Sequence, residues 1–87
     1  NKVTLFIVTD YPNELYQVIL EKTHHSVTEI PATGMYSQSN RTMLYCVVSS
    51  TEAKIVTRCV IEQDPKTFIN VVKTEMFMGR FHRPQNY

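Results

Sequence analysis

TGMYSQSNRTMLYCVVSSTE, residues 33–52, is the stretch that decides the fold of this chain. Gly34 permits a bend at the end of one strand, and the polar run SQSN predicts a loop. Residues 41–48 are largely apolar and β-branched, which predicts a strand. Ser49 and Glu52 then have the spacing of a capping box, in which each side chain pairs with the backbone N–H of the other residue. The stretch is therefore the middle of a β-α-β-β-α-β domain.

The flanking sequence supplies the other elements. We predict strands over residues 2–9, 26–36, 41–48 and 67–73 and helices over 13–22 and 49–62. Pro31 has no N–H for a ladder hydrogen bond, so strand two should lie at a sheet edge or carry a bulge. Strands one and three are almost continuously apolar, which is typical of central strands. The prediction is an α+β, ferredoxin-like domain with a four-stranded antiparallel sheet of order 4-1-3-2 and both helices on one face.

Both faces of the two central strands are apolar. Side chains alternate across a strand, so Leu5 and Ile7 share one face of strand one, while Phe6 and Val8 share the other. In strand three the same alternation separates two apolar sets, which are Leu44, Cys46 and Val48 on one face and Met43, Tyr45 and Val47 on the other. Two helices cover only one face of such a sheet.

The second apolar face therefore needs a cover. Monomers rarely expose a contiguous apolar patch of that size, so we expect other copies of the same chain to pack against it. The alternative cover is the C-terminal tail, through its apolar residues Met76, Phe77, Met78 and Phe81.

The size and composition of the chain indicate one globular domain. We place it at residues 1–79, followed by a polar tail over 80–87. The chain is 43% hydrophobic and 20% charged, which is typical of a globular protein. Its net charge is +1, and positive and negative side chains alternate along the sequence, so it offers no basic stripe for nucleic acid. No apolar run reaches the roughly 18 residues of a membrane span. The first residue is not Met, which suggests a piece of a longer protein.

No catalytic or metal-binding constellation is visible in the sequence. Cys46 and Cys59 are predicted to be buried thiols with no histidine beside them, which suits a reducing compartment. His24 and His25 are adjacent and cannot share a metal from one helix face, so both are expected at the surface near a helix end. We therefore expect neither an enzyme nor a metal ion or other cofactor.

Several motifs together resemble a known family. They are VTLFIVTDYPNELYQVILEK at residues 3–22, the T-G-x-Y step at 33–36, LYCVVS at 44–49, the D-P after helix two and the ending MFMGRF. In this order they look like the soluble C-terminal domain of YitT-type bacterial membrane proteins, and the match covers nearly the whole chain. That family is of unknown function. Its domain resembles the PII-type signalling fold, a ferredoxin-like module that often forms trimers with the sheets packed inward.

The resemblance implies a parent protein with several membrane helices before Asn1 and a domain on the cytoplasmic side of the cell membrane. It also implies a homo-oligomer, with a trimer favoured. PII-like relatives bind nucleotides or other small ligands in clefts between subunits, with the loop between strands two and three. In this chain that loop, residues 33–41, is shorter than the loop of PII proteins. Gly34 and Gly79 are the only glycines, so the chain has no glycine-rich phosphate cradle.

The best candidates for a ligand site are Gly34, Tyr36 and Arg41. Gly34 would let a ligand approach the backbone closely, Tyr36 could stack on a base, and Arg41 could hold a phosphate. The structural alternative is a turn glycine, a half-buried strand tyrosine and a solvated arginine. Asp10 lies where strand one meets helix one, either beside an anion held at the helix N-terminus or as a helix cap. The basic, aromatic residues 79–83 could touch a phosphate or an anionic membrane surface, or form a solvated tail.

Several functions fit these observations. The first hypothesis is a cytosolic, ligand-sensing regulatory domain of a multi-span membrane protein, which works as an oligomer and binds a nucleotide or another small anion between subunits. The second is a purely structural oligomerisation domain. An ACT-type metabolite-binding domain has the same element order, although the turn at Asp10 lacks its usual glycine. An RNA-recognition module would stack bases on Phe6 and Tyr45, but RTMLYCVV lacks the glycine and the aromatic pattern of such modules.

Overall fold

The computed structural model describes residues 1–82, so the last part of the predicted tail, residues 83–87, lies outside the described residues. The elements are β1 Lys2–Thr9, α1 Pro12–Thr23, β2 Thr28–Gly34, β3 Ser39–Ser49, α2 Ser50–Gln63 and β4 Phe68–Lys73. The strands form one antiparallel sheet of order β2-β3-β1-β4, which is 4-1-3-2 in reverse. The predicted α+β, ferredoxin-like βαββαβ class is confirmed.

The core lies between the two helices and one face of the sheet. Its most deeply buried side chains are Leu5 and Ile7 of β1, Leu44, Cys46 and Val48 of β3, Leu15 and Ile19 of α1, and Val56 and Val60 of α2. The register places Leu5 opposite Cys46 and Ile7 opposite Leu44. Opposite residues of an antiparallel pair share one face, so burial alternates along both central strands as predicted.

Local signals in the sequence explain where both helices start. Pro12 occupies the first turn of α1, where a missing N–H removes no helical hydrogen bond. α1 ends just before His24, which adopts the left-handed conformation with φ 58° while its N–H donates to the Leu20 carbonyl. At α2 the predicted capping box is present. The Ser49 hydroxyl accepts from the Glu52 N–H at 3.1 Å, and the Glu52 carboxylate accepts from the Ser49 N–H at 2.8 Å.

β2 is an edge strand, as Pro31 predicted. It is shorter at both ends than predicted (Thr28–Gly34), whereas β3 is longer because it begins at Ser39. Polar side chains do not prevent ladder hydrogen bonds, so Ser39 pairs with Gly34 and the turn between the strands is tight. A Cβ on Gly34 would lie 2.9 Å from the Ser37 hydroxyl, so glycine at this position lets the turn close.

Two predictions about the buried side of α2 are wrong. The helical periodicity of the sequence predicts a buried face made of Ile55, Val56, Cys59 and Val60. In the structure Ile55 is 41% exposed and Cys59 is only half-buried. The residues that face the sheet are Ala53, Val56 and Val60 together with Glu52. These positions form a stripe with the 3.6-residue period of a helix, and Ile55 and Cys59 lie beyond its border.

Candidate functional site

The side of the sheet that faces away from the helices, here called the open face, carries an apolar surface. It consists of Thr4, Phe6, Val8, Ile30, Met43, Tyr45, Val47, Phe68 and Val72. The most exposed of these side chains are Phe68 at 63% and Val72 at 41%. Near the centre, the Phe6 and Tyr45 rings contact each other with their centroids 5.7 Å apart. The prediction that both faces of the central strands are apolar is confirmed.

One end of the open face carries three of the four predicted ligand residues. Arg41 Nε donates to Asp10 Oδ1 at 3.1 Å, and a Cβ on Gly34 would lie 3.7 Å from the Arg41 side chain. The ion pair is accessible to water, because 26% of the Arg41 side chain and 61% of the Asp10 side chain are exposed. Tyr36 lies fully exposed on the adjacent β2–β3 turn. The structure thus places Asp10, Gly34 and Arg41 side by side, while the Tyr36 side chain extends into water.

Asp10 does not cap α1, so that alternative is wrong. The N-cap residue is Tyr11, whose side chain makes no capping hydrogen bond and whose N–H donates to the Thr9 hydroxyl at 2.9 Å. The Asp10 carboxylate accepts instead from Arg41, because β1 and β3 are neighbours in the sheet. An exposed ion pair of this kind contributes at most about 1 kcal/mol to stability, so it can open at little cost.

A buried pair at the opposite end of β1 and β3 is absent from the sequence-based predictions. His25 Nε2 and Glu52 Oε1 are 2.9 Å apart, and only 3% of the His25 side chain and 8% of the Glu52 side chain are exposed. The expectation that His25 lies at the surface is therefore wrong, whereas His24 is exposed as expected. The left-handed backbone of His24 turns the chain at the end of α1, and the next side chain points inward. No local signal marks the pair, since its partners are 27 residues apart.

The Glu52 carboxylate serves the helix and the histidine at the same time. Its Oε1 accepts from the Ser49 N–H at 2.8 Å and lies 2.9 Å from His25 Nε2. Burial alone would raise the pKa of the Glu52 carboxyl, but the hydrogen bonds from Ser49 and His25 outweigh it and hold that pKa below its usual range. Burial, with a smaller effect of the Glu52 charge, raises the pKa of the Cys46 thiol to about 12, so the thiol stays protonated at neutral pH.

The C-terminal segment, defined here as residues 74–82, crosses this end of the open face. The Thr74 hydroxyl is 2.6 Å from the Thr4 hydroxyl. Further along, the Phe81 ring packs on the His25 ring with the centroids 4.2 Å apart. The Phe81 ring of this segment therefore covers the His25 ring of the buried His25–Glu52 pair.

The cover that this segment provides is partial. Between the segment and the sheet lies a cavity of about 400 Å³, whose polar lining includes His24, Arg80 and His82. Met76 is 79% and Met78 92% exposed, so neither methionine packs on the sheet. The alternative in which the C-terminal residues cover the whole open face is therefore wrong. They cover one end of it, and the rest stays in contact with water. Within residues 1–82, no three His, Cys, Asp or Glu side chains are grouped so that they could hold a metal ion.

These features define a class of protein: a small ferredoxin-like domain whose sheet has one apolar side in water and an accessible ion pair at its end. Residues 25–79 match the family model described as an uncharacterized protein conserved in bacteria, DUF2179. The chain therefore belongs to the DUF2179 family.

Two relatives of the chain are named membrane proteins. The chain is 32% identical over 82 residues to the UPF0750 membrane protein YitT of Bacillus subtilis (strain 168) and 30% identical over 73 residues to the UPF0750 membrane protein YvjA of the same organism. The alignments include 94% and 84% of the chain but only 29% and 26% of the relatives. The resemblance to YitT-type proteins is confirmed, and the chain corresponds to one domain of larger membrane proteins. In residues 1–82 themselves, no helix is long and apolar enough to cross a bilayer.

Two solved bacterial structures share the fold. An uncharacterized DUF2179 protein from Eubacterium ventriosum has a TM-score of 0.67 and 22% identity, over 82% of this chain and 97% of that chain. A functionally unknown protein from Pediococcus pentosaceus ATCC 25745 has a TM-score of 0.74 and 18% identity, over 92% and 96%. At these identities the likeness shows the fold alone. The family is of unknown function, and neither these structures nor the two relatives are named as enzymes.

Proposed function

We propose that this chain is a regulatory, ligand-sensing domain of a multi-span membrane protein, placed on the cytoplasmic side and active through binding rather than catalysis. Copies of the domain pack through their open faces, with a trimer favoured. A nucleotide or another small anion binds at the Asp10–Arg41 end, beside a neighbouring copy. The observation that carries the proposal is the apolar open face, which the two helices leave in contact with water.

The open face supports assembly because its exposed side chains gain free energy when they leave water. Phe68, Val72 and Ile30 are 63%, 41% and 39% exposed in the single chain. Covering what remains exposed of these three side chains on two copies contributes roughly 5–7 kcal/mol. That offsets only the lower end of the association cost of about 4–15 kcal/mol. A trimer is favoured because the PII-type domains that this fold resembles often form trimers with their sheets packed inward.

The Asp10–Arg41 end supports an anion site. The Arg41 guanidinium is a planar group of N–H donors that matches a phosphate, and it is partly exposed. A phosphate would compete with the Asp10 carboxylate for the guanidinium, and the exchange is cheap because the exposed pair adds at most about 1 kcal/mol. The fully exposed Tyr36 ring on the adjacent turn is available to stack on a base. A ligand that binds one arrangement of the copies more tightly than another shifts their equilibrium and so carries a signal.

A purely structural assembly domain is the second candidate. The Asp10–Arg41 ion pair favours it, because the guanidinium already has a carboxylate partner in the absence of any ligand. Under this alternative the open faces still pack together, and the oligomer is the same with and without a nucleotide.

Light scattering on two isoleucine variants tests the assembly. Ile30 on the open face and Ile55 on α2 are 39% and 41% exposed, so each glutamate replaces an isoleucine that is exposed to a similar extent. We expect Ile30→Glu to lower the mass of the oligomer, whereas Ile55→Glu, the matched control, leaves it unchanged. A chain that scatters as a monomer at every concentration, or an Ile30→Glu variant that assembles normally, would refute packing through the open face.

Equilibrium dialysis against ATP, AMP and cyclic dinucleotides tests the ligand site. We expect Arg41→Gln to abolish binding, because it removes the cationic donors. Asp10→Asn should strengthen binding, since it removes the charge that competes with the anion. Arg58→Gln, which removes a positive charge from the exposed side of α2, is the control and should bind normally. If the assembled chain binds none of these nucleotides, the structural assembly domain is the better description.

A further inference from the structure

The two edges of the sheet are protected to different degrees. β2 carries Pro31 in its middle, and proline on an edge strand prevents pairing with another chain. β4, with the sequence FINVVK, has neither proline nor glycine, and Lys73 at its end is the only charged residue. In the described part of the chain, β4 pairs with β1 on its inner side and with no strand on its outer side.

The ladder with β1 determines which backbone groups of β4 point outward. The Thr74 N–H donates to the Lys2 carbonyl at 3.0 Å, so these two residues form a hydrogen-bonded pair. Such pairs alternate along an antiparallel ladder. Every second residue before Thr74 therefore directs its N–H and C=O toward β1. The residues between them direct theirs away from the sheet, and these are Ile69, Val71 and Lys73.

Apolar side chains flank this free edge on both sides of the sheet. On the open face, Phe68 is 63% and Val72 41% exposed, and on the helix side Val71 is 48% exposed. α2 packs mainly on β1 and β3, so a groove remains open between α2 and β4, lined by Val3, Ser50, Ala53, Lys54, Thr57 and Val71. A strand placed on this edge would find both backbone partners and apolar cover.

We propose that β4 pairs antiparallel with β4 of a second copy across a two-fold axis and joins two sheets into one continuous sheet. An isologous contact uses the same surface twice, and β4 is suited to it. Around an axis near Asn70, the exposed Phe68 of one copy lies beside Val72 of the other on the same face. The two Lys73 charges lie at opposite ends of the antiparallel pair, whereas a parallel arrangement would bring them together.

This edge contact is distinct from packing through the open face. A two-fold axis perpendicular to the sheet keeps both open faces on the same side and leaves them available to further copies. The edge contact also requires the outward N–H groups of Ile69, Val71 and Lys73 to become hydrogen-bonded. Packing of open faces alone leaves these three N–H groups in water.

Residue-resolved amide hydrogen exchange on the unmodified 87-residue chain, over a range of concentrations, tests the proposal. We expect the amides of Ile69, Val71 and Lys73 to exchange at least about tenfold more slowly at high concentration than at dilution. The amides of Asn70 and Val72, which donate toward β1, should be protected at all concentrations. Rapid exchange of the three outward amides at every concentration would overturn the proposal, even if the chain assembles through another surface.

A pair of Val71 variants provides an independent test by light scattering. Val71→Pro removes an outward N–H without removing a hydrogen bond to β1, and we expect it to abolish the edge contact. Val71→Thr is the matched control, because it retains the N–H and a β-branched side chain, and it should assemble as the unmodified chain does. A Val71→Pro variant with native circular dichroism and unchanged mass would contradict the proposal. If this variant does not fold, the exchange measurement on the unmodified chain decides alone.

Discussion

Replacing Glu52 measures how much the buried pair contributes to stability. One carboxylate oxygen accepts from the Ser49 N–H at 2.8 Å and lies 2.9 Å from His25 Nε2, and 8% of the side chain is exposed. Glu52→Ala removes the capping-box hydrogen bond from the Ser49 N–H, at a cost of about 1 kcal/mol, and leaves the buried His25 nitrogen without its partner, at about 1–3 kcal/mol. The free energy of unfolding should therefore fall by about 2–4 kcal/mol.

Glu52→Gln separates the charge of this side chain from its shape. The amide oxygen of glutamine can occupy the place of the carboxylate oxygen and accept the same two hydrogen bonds. Only the additional strength of a charged acceptor is lost, which is about 1 kcal/mol. At pH 7 we expect the order of stability to be unmodified chain, then Glu52→Gln, then Glu52→Ala.

The pH dependence of this difference has a defined sign. The pKa of the Glu52 carboxyl is lower in the folded chain than its usual value, so the folded state favours the charged form. The resulting stabilisation is present above the pKa of the unfolded chain and is lost as the pH falls through the lower pKa of the folded chain. The advantage of the unmodified chain over Glu52→Gln should therefore shrink below about pH 4.5.

Urea unfolding followed by circular dichroism at pH 7 and at pH 3.5 measures these differences. Two results would refute the reasoning. One is a Glu52→Ala variant that loses less than about 1 kcal/mol, since a buried nitrogen without a partner must cost more than that. The other is a difference between Glu52→Gln and the unmodified chain that is the same at both pH values.

Two further outcomes concern other parts of the same region. At pH 8, iodoacetamide should modify the half-buried Cys59 of the folded chain and leave Cys46 unmodified, because burial raises the pKa of the Cys46 thiol to about 12. Mass spectrometry of peptides measures the modification of each cysteine, and a modified Cys46 in the folded chain would contradict the prediction. Phe81→Ala should lower the free energy of unfolding by about 1–2 kcal/mol because the ring packs on His25, whereas Met78→Ala, at a 92% exposed position, should change it by less than about 0.5 kcal/mol. Equal effects of the two substitutions in urea titrations would contradict this assignment.

The arrangement of the elements could be predicted because its signals are local. A capping box needs only Ser49 and Glu52, three residues apart, and Pro31 excludes a central strand by its own chemistry. Strand limits were less accurate, because backbone pairing between polar residues such as Thr33 and Asn40 depends on the partner strand and not on side-chain character.

The candidate site could be predicted only in part. Gly34 and Arg41 are close in sequence and remain close in space, and the sheet order brings Asp10 to Arg41. Tyr36 was expected beside them, but the tight turn carries it outward into water. Its place in a ligand site therefore remains a prediction that depends on a neighbouring copy.

By itself, the sequence determined the order of strands and helices, the start of each helix and the apolar character of both faces of β1 and β3. Those properties follow from side-chain periodicity and from hydrogen bonds between residues a few positions apart. Only the tertiary structure decided that His25 is buried against Glu52 and that the C-terminal segment covers one end of the sheet and no more. These contacts join residues that are distant in the chain, so their free energy depends on the packing of the whole domain and leaves no periodic pattern in the sequence.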